Sequence, residues 1–210
     1  MIKVLIADDH PIVRKGLKQI LAETSDITVV NEASSGQEVL SKIWKNDYDV
    51  VLLDISMPGI GGLEALKQIK SQKPGLPVLI LSIHSEDQYA VRAIKDGAAG
   101  YLTKESAPDE LIAAIQKVSR GGRYITSSLA ERLALAIEKN TERPLHELLS
   151  DREYQVMLMI ASGKPVKQIA EELFLSVKTV STYRSRTLEK MRMENNAQLT
   201  SYALKNRLLD

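Results

Sequence analysis

Cysteine is absent from the 210-residue chain. Disulfides, thiolate nucleophiles, Cys-ligated zinc and iron–sulfur clusters are therefore excluded, and the absence suits a reducing compartment. Aromatic residues are scarce, with one Trp, one Phe and seven Tyr. No apolar run approaches the roughly 18 residues of a membrane span. The opening MIKVLIADDHPIVR places a short apolar stretch directly before two acids, so no secretory leader and no membrane contact are expected, and the location expected is cytoplasmic. An excess of either charge is missing too: 28 Lys+Arg stand against 27 Asp+Glu, net +1. Taken as an average, that balance argues against a nucleic-acid binder.

The average conceals a division. Residues 1–125 hold 15 basic and 16 acidic residues, whereas 149–210 hold 10 and 7. Within the latter, 178–192 carries Lys178, Arg184, Arg186, Lys190 and Arg192 against Glu189 alone, net +4. Charge by itself leaves a solvated helix face as an equal reading. The length, at about 150 residues per domain, fits one large or two small domains.

Short β-branched runs recur at 3–7, 27–31, 50–54, 77–82 and 100–103, separated by amphipathic stretches such as Val13, Leu17, Ile20, Leu21 and Leu63, Leu66, Ile69. Such alternation predicts an α/β fold, a five-stranded parallel sheet covered by helices on both faces. VVLLD and PVLILS are apolar throughout, as central strands are. Ser106 is the expected cap of a helix over 108–119, with Pro108 in its first turn. Trp44 lies on a helix and reads as packing, and His10 and His84 as packing or surface residues near the strand ends. Residues 123–147 read as a linker with a short helix over 129–139 capped near Thr126 and a polar stretch over 140–144. From 148 to 210 the strand signal is gone, and four helices over 151–162, 166–173, 177–191 and 197–206 form a small all-α domain.

Parallel sheets bind ligands at the carboxyl ends of their strands. Here those ends carry Asp8-Asp9, Asp54, Ser82 and Thr103-Lys104. Asp8-Asp9 alone would read as loop-capping acids. In strand order 2-1-3-4-5, however, the whole set converges. Three carboxylates beside one lysine call for a hard cation such as Mg²⁺, and a lysine and a hydroxyl next to it suit a transferring phosphoryl group. The constellation also admits a Mg²⁺-dependent phosphotransferase or phosphatase acting on a small substrate, although no second acid/base pair or lid is visible. A binding module governed by a protein partner instead of phosphate is the third reading.

The segments IADDHPIVRKGL, DVVLLDISMPGIGGLE, PVLILS and GAAGYLTKES resemble the receiver domain of two-component response regulators over roughly residues 1–122. The resemblance implies that Asp54 is the phosphoacceptor for a sensor histidine kinase. It further implies that Asp9 ligates Mg²⁺ directly, that Asp8 supports it through water, and that Asp54 and the Ser56 backbone carbonyl complete the protein ligands. Ser82 is then the switch hydroxyl, Lys104 the phosphoryl partner and Tyr101 the aromatic that reports activation, against a plain surface role for Tyr101. On this reading the chain is not an enzyme beyond its own phosphorylation and dephosphorylation.

In the last domain, Ile169, Ala170, Leu173, Val177, Val180 and Leu188 are spaced as an apolar seam, and the tight joint before the basic helix is a helix-turn-helix signal. The exposed face of that helix then holds Lys178, Thr179, Ser181, Thr182, Arg184, Ser185 and Arg186, short hydroxyls and cations suited to base edges and phosphates. The stretch from Leu149-Ser150-Asp151-Arg152-Glu153 through Lys178-Thr179-Val180 resembles the LuxR-type helix-turn-helix of the NarL/FixJ response regulators, although Lys164-Pro165-Val166-Lys167 departs from the family's usual Ser-Asn-Lys-Glu. The resemblance implies double-stranded promoter DNA as partner, Ser181, Thr182 and Ser185 facing the major groove, and phosphate contacts from Lys178, Thr179, Arg184 and Arg186, with guanine open to Arg184. It implies a homodimer on palindromic DNA through the last helix at Leu199, Tyr202 and Ala203, which could equally close the bundle's core. RNA polymerase is a further partner it admits.

Overall fold

A computed structural model describes residues 1–83, 86–138 and 144–209. His84 and positions 139–143 of the linker lie outside the described residues. Two compact units result, residues 1–130 and 131–210.

In the first unit, β1 (Ile2–Ala7), β2 (Ile27–Ala33), β3 (Val50–Leu53), β4 (Val78–Ser82) and β5 (Gly100–Thr103) form one parallel sheet in the order β2-β1-β3-β4-β5. Between them run α1 (Pro11–Ala22), α2 (Gly36–Lys45), α3 (Gly62–Gln72) and α4 (Glu86–Lys95), and α5 (Pro108–Ser119) follows β5. Every residue of β3 and β4 is buried, as continuous apolar strands in a doubly covered sheet must be. One layer of core joins Val4, Ile6, Leu52 and Leu79 to Leu17 and Leu21 of α1 and to Leu111, Ala114, Ile115 and Val118 of α5. Past α5 the chain stays on the sheet: Tyr124 N–H donates to Ala99 O at 2.8 Å and bridges Gly100. Next comes α6 (Ser127–Glu138), where Thr126 Oγ1 accepts from Leu129 N at 3.2 Å.

Two expectations in this unit need correction. Trp44 is 66% exposed. Its helix buries Gly36, Val39, Leu40 and Ile43, and one further residue, ~100° around the helix, carries Trp44 off that stripe. Ser106 does not cap α5. The N-cap is Ala107, with no side-chain cap bond, and Pro108 at the first position removes one of the donors a cap would satisfy.

The loop that follows β3 is set by two glycines. A Cβ on Gly62 would stand 1.9 Å from Asp54 O, and one on Gly36 would stand 2.3 Å from Ile60 O. Gly62 N–H donates to Ile55 O at 2.9 Å, and Gly59 turns the loop at φ 70°. Residues 54–61 are thus clasped between the starts of α2 and α3 at backbone contact distance, where no side chain fits.

In the second unit a single 3₁₀ turn, Leu145–Leu148, unforeseen in the linker, precedes α7 (Asp151–Ala161), α8 (Val166–Glu172), α9 (Val177–Met191) and α10 (Asn196–Lys205). Ser150 and Glu153 form a capping box on α7. Glu153 is buried, and Lys190 of α9 reaches it at 2.6 Å. Burial opposes its charge, yet Lys190 and Ser150 hold the carboxyl below its ordinary range. Ser176 caps α9 and Asn195 caps α10. The seam differs from the expected one. Ile169, Ala170, Leu173 and Val180 are buried, but Val177 is exposed and Leu188 is half-buried, and Thr187 and Met191 take the inner positions. Thr187 satisfies its hydroxyl on Glu153 O at 3.3 Å, which makes a polar residue acceptable there.

Gly62→Ala should destabilise the first unit by about 1–3 kcal/mol through overpacking, whereas Gly75→Ala, with nothing within 4 Å of its new Cβ, should be neutral. Denaturant titration of both variants measures the difference, and equal midpoints would show that the loop is free to shift.

Candidate functional site

The carboxyl ends of β1, β3, β4 and β5 bring together Asp8, Asp9, Asp54, Ser82 and Lys104. Backbone bonds set their heights: Asp8 N–H donates to Ala33 O at 3.1 Å, Asp54 N–H to Ala7 O at 2.9 Å and Lys104 N–H to Ser82 O at 2.7 Å. Asp8, Asp54 and Ser82 are buried, and Asp9 and Ser56 are partly so. Lys104 Nζ lies 2.6 Å from Asp8 Oδ2 and 2.9 Å from Asp54 Oδ2, one cation shared by two buried carboxylates. Ser82 pairs in register with Thr103 on the neighbouring strand. Tyr101, on the same strand as Thr103, is fully buried, so the plain surface role is excluded.

Sequence reasoning missed two members of the site. His10 Nδ1 stands 2.7 Å from Asp9 Oδ1 and 3.3 Å from Asp8 Oδ1, and its N–H donates to Asp8 Oδ1 at 2.8 Å. Arg14 Nη1 donates to the Asp8 carbonyl at 2.7 Å, and its Nε donates to Glu32 at 3.0 Å. The signal available was positional: both residues open the helix that leaves the acidic strand end.

The electrostatics are those of a site short of positive charge. Burial pushes the Asp54 carboxyl above its ordinary range, with Asp8 adding repulsion, and Lys104 only offsets part of this. Burial draws the Lys104 ammonium down, but Asp54 and Asp8 outweigh it and hold it above its ordinary value. Among the described residues, Asp54 Oδ1 is a buried oxygen without an aligned hydrogen-bond donor, and Asp8 Oδ2 and Asp9 Oδ1 meet only Lys104 Nζ at 2.6 Å and His10 Nδ1 at 2.7 Å. Ligand atoms of Asp8, Asp9, His10 and Asp54 lie within 4.8 Å of one another. Close-set, under-satisfied carboxylate oxygens are the donor set of a hard divalent cation, so these residues fit Mg²⁺.

The second candidate surface is α9. Lys178, Ser181, Thr182, Ser185 and Arg186 are exposed, and Thr179 and Arg184 are half-buried. Thr179 belongs to the cap: its N–H donates to Ser176 Oγ at 3.0 Å. Arg184 is turned to the start of α10, where Nε donates to Asn196 Oδ1 at 2.7 Å. Leu199 and Ala203 of α10 are fully buried within the bundle, and Tyr202 Oη sits 2.9 Å from His146 Nδ1. Leu199 and Ala203 therefore pack in the core of their own domain. The exposed apolar residue of α10 is Leu204.

Comparison with known proteins identifies both domains. Residues 4–116 match the response regulator receiver domain family, and residues 147–203 match the bacterial regulatory proteins of the luxR family. The response regulator UvrY of Escherichia coli K12 is 44% identical over 210 residues, covering 99% of this chain and 96% of that protein. The response regulator GacA of Pseudomonas syringae pv. syringae is 40% identical, covering 100% and 99%. Among solved structures, RcsB from Salmonella enterica serovar Typhimurium bound to promoter rprA in the presence of the phosphomimetic BeF3- is 27% identical, covers 96% of this chain and 97% of that one, and superposes with a TM-score of 0.63. The described residues hold no helix long and apolar enough to cross a membrane. With one family spanning more than half of the chain and relatives of this identity along its whole length, the protein belongs to the NarL/FixJ-type response regulators, DNA-binding transcription regulators of two-component systems that join a receiver domain to a LuxR-type helix-turn-helix domain.

Proposed function

We propose that Asp54 is the phosphoacceptor, that Mg²⁺ is held by Asp8, Asp9, Asp54 and the Ser56 carbonyl, and that a sensor histidine kinase is the phosphoryl donor. The observation that carries this reading is the sharing of Lys104 between buried Asp8 and Asp54. Mg²⁺, when bound, would neutralise charge on the transferring oxygens. One oxygen of Asp54 forms the new bond to phosphorus as the bond to the donor's nitrogen breaks. Lys104 then leaves Asp8 for a phosphoryl oxygen, and the Ser82 hydroxyl donates to another. Tyr101, buried on β5 beside this pair, is the residue whose packing follows their movement. The acyl phosphate brings charge and strong acceptor oxygens, and these bias the β4–β5 face between two states. The residues receive one phosphoryl group per chain, which sets the protein apart from a phosphotransferase turning over a small substrate.

The output is promoter DNA, bound by α9 in the major groove. Lys178 and Arg186 serve the phosphates, and Ser181, Thr182 and Ser185 face the bases. Arg184, turned to Asn196, is assigned to holding α10 instead of reading guanine, and Thr179 to the helix cap. The protein binds as a homodimer whose two domains match palindromic half-sites. Its contact lies on α10, where Tyr202 is partly exposed. Residues 123–147 are the linker between a receiver of 1–122 and an output domain of 148–210. The setting is cytoplasmic, with RNA polymerase a further partner at the promoter.

Asp54→Ala should take up no phosphoryl group from acetyl phosphate by intact-protein mass spectrometry, and uptake in that variant would place the acceptor elsewhere. Metal affinity should fall as pH drops through the raised pKa of Asp54, because the carboxyl must ionise to bind. Mg²⁺ titrations followed by NMR across a pH series test this, and a flat series would remove Asp54 from the ligands. Lys178→Ala should lower the slope of log K against log salt by about 2, one phosphate contact in each protomer of the dimer, and Arg184→Ala should leave it unchanged. Equal slopes in Lys178→Ala and wild type would take Lys178 off the phosphates.

A further inference from the structure

On the DNA-facing side of α9 the hydroxyl groups are less available than their residue types suggest. Ser181 Oγ donates to Val177 O at 2.9 Å, and Thr182 Oγ1 donates to Lys178 O at 3.0 Å. Ser176 Oγ accepts from Thr179 N at 3.0 Å and shares a proton with Thr179 Oγ1 at 2.7 Å. Back-bonding of this kind is the usual alternative for Ser and Thr within a helix. The hydroxyl protons of Ser181 and Thr182 are therefore committed to the helix itself, which leaves their oxygens as acceptors only.

Val177 stands at the head of the same surface, at the first position of α9, and is 52% exposed. A valine is a poor choice there on stability grounds. It is not buried, its β-branch is mildly unfavourable in a helix, and an acid at this position would gain from the helix dipole. Single exposed apolar residues need no explanation in general. Val177 differs in its place, because the N-terminal residues of a recognition helix are the ones that reach base edges. Next to it are Lys178 in sequence and Ser181 one turn on, both exposed and both assigned above to DNA. The major groove offers one apolar group of its own, the thymine C5-methyl.

We infer that Val177 is a specificity-determining residue whose γ-methyls pack on a thymine C5-methyl in each half-site. The inference rests on the assignment of α9 to DNA. It assigns the first turn of α9 to shape and apolar contact, and leaves hydrogen-bonded readout to Ser185 further along.

The test uses the full chain treated with acetyl phosphate and a duplex selected from random sequence. Each thymine is replaced in turn by deoxyuridine, which removes only the methyl group. Fluorescence anisotropy should show one position per half-site where the wild type loses about 3- to 5-fold in affinity, the burial of roughly one methyl. Val177→Ala should bind the thymine and uracil duplexes equally at that position. Lys178→Ala should bind both more weakly and keep the preference. Because Val177 is exposed, circular dichroism of Val177→Ala should match the wild type. An undiminished thymine preference in Val177→Ala, or no position sensitive to uracil, overturns the inference while leaving DNA binding by α9 intact. Failure of the wild type to select any duplex overturns both.

Discussion

Two buried carboxylates share one lysine at the end of the sheet, and the arrangement of the receiver answers to that constraint. Asp8 and Asp54 are both nearly inaccessible, and each is held at its height by a backbone bond to a neighbouring strand. Like charges this close in a poorly solvated place repel strongly, and one ammonium does not settle the balance, because Asp54 remains above its ordinary range. The remaining imbalance is what a divalent cation and a phosphoryl group would address together on the proposed reading. A site fully neutralised by protein groups would have little use for either.

The loop beyond Asp54 explains how such an unfavourable cluster is kept in place. Gly62 and Gly36 let backbone meet backbone at distances no Cβ allows, so the Asp54 carbonyl and Ile60 are both held against neighbouring helix starts. Rigidity at the acid is bought by two residues with no side chain at all. The output domain uses the opposite device. There a buried polar network, with Glu153 capped to Ser150 and paired to Lys190 and Thr187 bonded to the Glu153 carbonyl, ties α7 to α9. A fully satisfied network fixes one arrangement of helices more firmly than apolar packing, which tolerates sliding.

Much of this was legible beforehand. Periodicity located all five strands, because a strand buried on both sides can carry only apolar residues, and the order 2-1-3-4-5 on which the site's convergence depended is the one observed. The acids, Ser82 and Lys104 were legible because they interrupt those runs at the one end where a parallel sheet binds ligands. The misreadings share a cause. Trp44, Val177 and Leu188 were ranked by residue type and spacing, while burial depends on which arc of each helix a neighbour covers. The charge of Arg184 gave no sign of Asn196, which it meets from a different helix. Leu199 and Ala203 carry no mark in the sequence that separates a core stripe from a dimer stripe, since both are apolar at helical spacing.

By itself, then, the sequence determined the composition of the two domains, the segregation of acid and base between them, the absence of thiol chemistry, and the residues that stand at the strand ends. These follow from local periodicity and from covalent order, which need no neighbour to define them. Tertiary structure alone decided that Lys104 serves two carboxylates at once, that His10 and Arg14 join the site, that Tyr101 is buried, and that the hydroxyls of α9 turn back on their own helix. Each of those depends on distances between residues remote in the chain, or on a side-chain rotamer. At those scales the energies of burial and hydrogen bonding, and not the order of residues, select the outcome.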